Sequence, residues 1–121
     1  MKYIKTYEQL DEEPQIGDYV IMTSYEWLNE FLHNNIGQIV FIGTQNQNDN
    51  INVIYPSNII TDDSYFRKIT KYEHDIYDKF SSIARNNKKV SLRIFERNEI
   101  LYFSKNKEDL EAKIAAKKYN L

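Results

Sequence analysis

Two histidines, at 33 and 74, are the only imidazoles in the chain, and there is no cysteine. A hydrolase needs a nucleophile within reach of a base, or a metal with an open position. His74 stands in Glu73-His74-Asp75 on an expected helix, where consecutive residues point in different directions and do not converge on one ion. An exposed helix histidine is the plainer reading. Asp62-Asp63 ahead of Ser64 could hold a hard cation, yet paired carboxylates there are ordinary loop and capping residues. Three glycines, at 17, 37 and 43, cannot write a Walker-type or Rossmann phosphate loop. Without cysteine there is no thiolate and no disulfide, and zinc would have to be held by histidines or carboxylates alone. No catalytic, metal or cofactor residue is assigned, and the chain is expected to act by binding rather than as an enzyme.

Binding offers more material. Arg85, Lys88, Lys89, Arg93 and Arg97 lie downstream of Tyr65, Phe66, Tyr72 and Tyr77, a mixture of cations and stackable rings used by single-strand nucleic-acid sites. The competing reading makes those rings core and Asn86-Asn87-Lys88-Lys89 a loop. It is favoured because the isoelectric point, about 5.7, is below that of typical nucleic-acid binders. Tyr25, Trp27 and Phe31 could anchor a protein interface. A buried helix stripe through Trp27, Leu28, Phe31 and Leu32 is the expectation they must displace.

The 121 residues suffice for a single domain with one modest core. A hydrophobic fraction of 41% with 14% aromatics argues against disorder. Residues 1–64 carry 2 basic and 10 acidic side chains and residues 65–121 carry 14 and 8, so the net charge of −2 hides opposed halves. Those halves are expected to be solvated or to neutralise one another in the fold. Lys, Asn, Ile, Tyr and Phe make up 57 of the residues, a bias that AT-rich codons produce by themselves. The abundance of Asn and Lys is therefore discounted as a functional signal. No apolar run reaches the roughly 20 residues of a membrane span, and Met1 to Tyr7 has no signal-like apolar core. A cytoplasmic location is the default expectation.

The elements that must position these residues can be read along the chain. Residues 1–15 are expected to be an irregular or short helical lead-in, closed by the acidic Asp11-Glu12-Glu13 and Pro14. Gly17-Asp18 turns into a strand at Tyr19-Val20-Ile21-Met22, and Ser24 is expected to cap a helix over 24–34. Strands follow at 37–43 and 51–55, separated by a polar hairpin loop at 44–50. A fourth strand is expected at 65–69. Thr70 and Glu73 have capping-box spacing ahead of a helix reaching about Arg85. Val90, Leu92 and Ile94 alternate as a fifth strand, 99–103 is ambiguous, and Ser104 caps a closing helix with Leu110 and Ile114 on its apolar face.

The order Gly17-Asp18-Tyr19-Val20, Gly37-Gln38-Ile39-Val40, Asn52-Val53-Ile54-Tyr55 resembles SH3-like barrels of the KOW and Tudor kind. The resemblance covers about residues 16–56, and the inserted 24–34 helix departs from its pattern. Joined to the helices read from periodicity it gives the expected fold, an α+β chain with a small, partly open antiparallel barrel over 16–103, an inserted helix and a middle helix, then a C-terminal helix over 104–121. It also implies that Gly37 permits a bend into the second strand. A second resemblance rests on Ile16 to Val20, Asn34 to Val40, Glu99-Ile100 with Phe103-Ser104, Asn106 to Ala112, and Lys117 to Leu121. These segments are similar to small proteins of tailed bacteriophages and large DNA viruses. That group has no established activity and transfers no catalytic residue.

The expectation is a non-enzymatic viral accessory or host-modulating module that contacts another protein through a strand edge or the 24–34 helix, without cofactor or metal. The alternatives are nucleic-acid binding through 85–97 and sequestration of a signalling nucleotide. Exposed strand edges would also allow self-association.

Overall fold

The computed structural model describes residues 13–45 and 48–119, so most of the expected lead-in lies outside the described residues. The chain runs β1 (Tyr19–Met22), α1 (Glu26–His33), β2 (Gly37–Gln45), β3 (Asn48–Pro56), β4 (Arg67–Lys68), α2 (Lys71–Tyr77), α3 (Ser82–Asn86), β5 (Val90–Glu96), β6 (Ile100–Ser104) and α4 (Lys107–Tyr119). Single 3-10 turns occupy Ser57–Ile59, Asp63–Tyr65 and Arg97–Glu99.

All six strands join one antiparallel sheet in the order β4-β5-β3-β2-β1-β6. The last strand returns to lie beside the first, with Val20 opposite Phe103 and Tyr19 opposite Ser104. Among the described residues β4 and β6 do not pair with each other, so the sheet stays open.

Period-2 alternation sends Ile51, Val53 and Tyr55 to one face, where Leu28 and Leu32 of α1 close the core with Val20, Met22, Ile39 and Phe95. Ile54 points the other way and joins Val40, Val90 and Leu92 beneath Ile83 and Ala84 of α3. The central strand β3 is thus buried on both sides, which is why its apolar residues run together instead of strictly alternating.

Two glycines are needed where they stand. Gly17 has φ of +98° at the third position of a turn closed by the Asp18 N–H on the Gln15 carbonyl (3.0 Å). At Gly37 the structure shows a packing reason for glycine. A Cβ there would overlap the Val53 side chain and come within 2.8 Å of the Tyr55 ring.

Several boundaries differ from the sequence reading. Ser24 does not cap α1. Its backbone N–H donates to Asn29 Oδ1 (2.7 Å) and its carbonyl accepts from Asn29 Nδ2 (3.3 Å), so the helix starts one residue later, behind Tyr25. The polar 44–50 stretch is mostly strand, because β2 runs to Gln45 and β3 begins at Asn48. The fourth strand shrinks to Arg67–Lys68.

The expected 70–85 helix begins as read, with Thr70 Oγ1 accepting from Glu73 N–H (3.1 Å) and Glu73 Oε1 from Thr70 N–H (2.8 Å). It breaks after Tyr77. Ser81 then caps a new helix through the Ala84 N–H (3.2 Å). The closing helix also starts later than read: α4 begins at Lys107, and Ser104 is the last residue of β6, its Oγ donating to Asp109 Oδ2 (2.7 Å) and accepting from Asn106 N–H (3.0 Å) in the turn ahead of the helix.

Candidate functional site

The imidazoles are occupied by structural bonds. His33 Nε2 lies 3.0 Å from Thr23 Oγ1, and burial, with a smaller contribution from the Lys117 charge, pushes its pKa below the usual value. His74 Nε2 lies 2.9 Å from the Asn87 carbonyl, so this nitrogen donates and carries the ring proton. Asp62 caps its own turn by accepting from Ser64 N–H (3.0 Å) and Ser64 Oγ (2.7 Å), and these bonds lower its pKa.

One geometric expectation needs correcting. His74 and Asp75 are expected to point in different directions, yet one ligand atom of each and one of Asp78, a turn beyond His74, lie within 4.8 Å of one another. The charge around them works against a cation. Lys68, Lys71, Lys88 and Lys89 surround a hollow of about 370 Å³ that His74 and Asp75 also line.

The basic segment does not act as one unit. Arg85 donates to the Asp78 carbonyl (3.0 Å). Arg93, half-buried, donates to the Tyr65 carbonyl (3.1 Å) and lies over the Phe95 ring. Arg97 pairs with Glu13 (2.5 Å) and Asp49 (3.4 Å). Lys88 and Lys89 remain exposed with no ion-pair partner among the described residues. Of the upstream rings, Phe66 stacks edge-on with Phe31 and Tyr55, while Tyr72 is exposed.

The candidate interface residues divide. Phe31 turns inward, with its ring centroid 5.3 Å from that of Tyr55 and 5.6 Å from that of Phe66. Trp27 does not join the buried stripe, because Leu28, Phe31 and Leu32 already fill the inward face of this short helix. Trp27 is 65% exposed and Tyr25 58%, and their rings stack on each other, 5.0 Å apart and within 6° of parallel. Glu26 and Glu30 are also exposed, without ion-pair partners among the described residues.

A larger groove, about 870 Å³, opens where α1 and α3 end against the side of α4. Ile36, Ile59, Ile83 and Ile114 give it an apolar lining. Two Asn-Asn pairs, 34–35 and 86–87, stand at its rim. Asn34, Asn35 and Asn87 each donate Nδ2 to a carbonyl four residues back, on Glu30, Phe31 and Ile83, and so close the helix ends. The sequence reading missed this groove. Its sequence signal is the Asn-Asn step repeated at the ends of α1 and α3.

No family model, curated protein or solved structure matches this chain. Among the described residues no helix is long and apolar enough to cross a membrane.

Proposed function

We propose that this chain is a non-enzymatic protein-binding module whose contact surface is α1. One observation carries the reading: Tyr25 and Trp27 hold two large rings stacked together in water at the start of the helix. Aromatic side chains of this size are the common anchors of protein interfaces, and a pre-stacked pair loses little side-chain entropy on docking. The apolar groove at the other end of the same helix extends the surface. An SH3-like classification belongs to the same proposal, supported by the meander β1-β2-β3-β5 with β6 returning beside β1. So does a viral accessory role, which would make the partner a host protein. The test is affinity capture from host cells with the wild type beside Trp27→Ala, each with and without nuclease. A partner retained after nuclease and lost with Trp27→Ala is expected. Equal capture by both forms would remove α1 from the reading.

A further inference from the structure

We infer that the hollow between α2 and β5 is a binding site for a compact polyphosphate anion, a second site independent of the α1 surface. The sequence offers Lys88 and Lys89 as one adjacent pair. The fold adds Lys68 and Lys71 from about twenty residues earlier to the same hollow.

Three contacts set that convergence. β4 pairs with β5 so that Lys68 lies opposite Ser91. The Ile69 N–H reaches the Val90 carbonyl (3.4 Å), fastening the chain just before α2 to the strand that follows Lys88 and Lys89. His74 Nε2 donates to the Asn87 carbonyl (2.9 Å), docking α2 on the loop that carries both lysines.

The charge count then decides the ligand. Four lysines line a hollow of about 370 Å³. Among the described residues the one carboxylate lining it, Asp75, lies 3.6 Å from Lys71, and both side chains are largely in water. Lys68, Lys88 and Lys89 have no ion-pair partner among the described residues. Like charges gathered on a concave surface repel one another and raise the local concentration of anions. A hollow of this volume accommodates a di- or triphosphate group, whereas the track of a nucleic-acid strand needs cations continued along a groove. Arg85, Arg93 and Arg97 do not continue it, because their guanidinium groups are engaged elsewhere.

The test is calorimetric titration of the full chain with sodium tripolyphosphate, inorganic phosphate and a twenty-nucleotide oligothymidine at physiological salt. Tripolyphosphate is expected to bind saturably at one site, at least about tenfold tighter than phosphate. Lys68→Ala with Lys89→Ala should weaken it by about tenfold or more, while Arg97→Ala leaves it unchanged. The doubly substituted chain should melt no lower than wild type, since it loses only mutual repulsion, so lost binding is not lost folding. Three results would overturn the site: no saturable tripolyphosphate binding, binding indifferent to the two lysines, or tighter binding of the oligonucleotide. Trp27→Ala should leave this titration unchanged, so the fate of the α1 surface is judged separately.

Discussion

Ser81 Oγ donates to Gln38 Oε1 across 2.7 Å, joining residues 43 apart in sequence, and both side chains are buried. The same oxygen accepts from the Ile83 N–H (3.2 Å), and Gln38 Nε2 donates to the Gly17 carbonyl (2.8 Å). One carboxamide therefore holds the first turn, the second strand and the start of α3 together. Such a node explains why the middle helix breaks: continuing past Tyr77 would leave Gln38 buried without its partners, and unsatisfied buried polar groups are costly.

Gln38→Met is accordingly expected to destabilise the chain by about 3 kcal/mol, because it strands a hydroxyl, an N–H and a carbonyl at once. Ser81→Ala should cost less, about 1–2 kcal/mol, since the Ile83 N–H still reaches Gln38 while one helix cap is lost. Urea unfolding of both variants measures the difference. A smaller effect for Gln38→Met than for Ser81→Ala would contradict the node.

Gly37→Ala should destabilise by about 1–3 kcal/mol, the usual cost of forcing extra volume into a packed core. Its φ is not in the left-handed region, so the penalty arises from Val53 and Tyr55, which the new methyl would strike. Removing the obstacle should therefore rescue it. Val53→Ala combined with Gly37→Ala is expected to be less destabilised than the sum of the two single changes, the coupling sign expected of neighbours in contact.

Acid should weaken the start of α2. Arg67 Nη1 and Nη2 grip the two Glu73 oxygens at 2.9 and 3.0 Å, and Glu73 also accepts from the Thr70 N–H. The Arg67 bonds, with help from Thr70, hold the Glu73 carboxyl down at about 2, from a usual 4.5. A depressed carboxyl pKa gives stability that is present above the unfolded value and lost as pH falls toward the folded one. Arg67 is half in water, so the gain is screened to about 1 kcal/mol or less. Glu73→Gln should be less stable than wild type at neutral pH, with the gap closing between about pH 5 and pH 2. His33 acts in the same direction at higher pH, because its lowered pKa makes protonation below 6.5 favour the unfolded chain.

How much of this was legible in the residues depends on whether the signal was local. The Thr70–Glu73 box and the strand through Val90 and Leu92 are local, and the structure has them, although Ile94 faces water and α4 starts three residues after Ser104. The break at Tyr77 was not legible, because its cause sits on β2, far away in sequence. The polar 44–50 stretch looked like a loop because side-chain polarity was taken to report backbone shape. There β2 and β3 extend beyond the core and pair Gly43 with Asn50 and Thr44 with Asp49 through main-chain bonds that composition does not reveal. The 3–4 spacing of Trp27 with Phe31 puts it on the expected buried stripe, but α1 has only eight residues and its inner face is already full. The Asn-rimmed groove and the four-lysine hollow both arise from segments that only the sheet order brings together.

Under the protein-binding reading, Trp27→Ala should weaken partner binding by about 2 kcal/mol, the scale of an interface anchor. Folding stability should change by no more than about 0.5 kcal/mol, because the ring is mostly in water, stacked on the likewise exposed Tyr25. Matched chemical denaturation and binding curves separate the two effects. A large loss of stability would instead make the stacked pair a structural element.

Lys88→Glu with Lys89→Glu distinguishes partner classes. If the partner is a protein seated on α1, its affinity should survive the double reversal within about twofold, and added salt should change it little. A nucleic-acid partner predicts the opposite: log affinity falling steeply with log salt, and a loss of several phosphate contacts on reversing two charges. Binding of random-sequence DNA or RNA is expected to be no tighter than about micromolar at physiological salt, since three of the five cations in 85–97 are already engaged. Partner capture that disappears in the double variant while its folding persists would transfer the function from the aromatic helix to the basic loop.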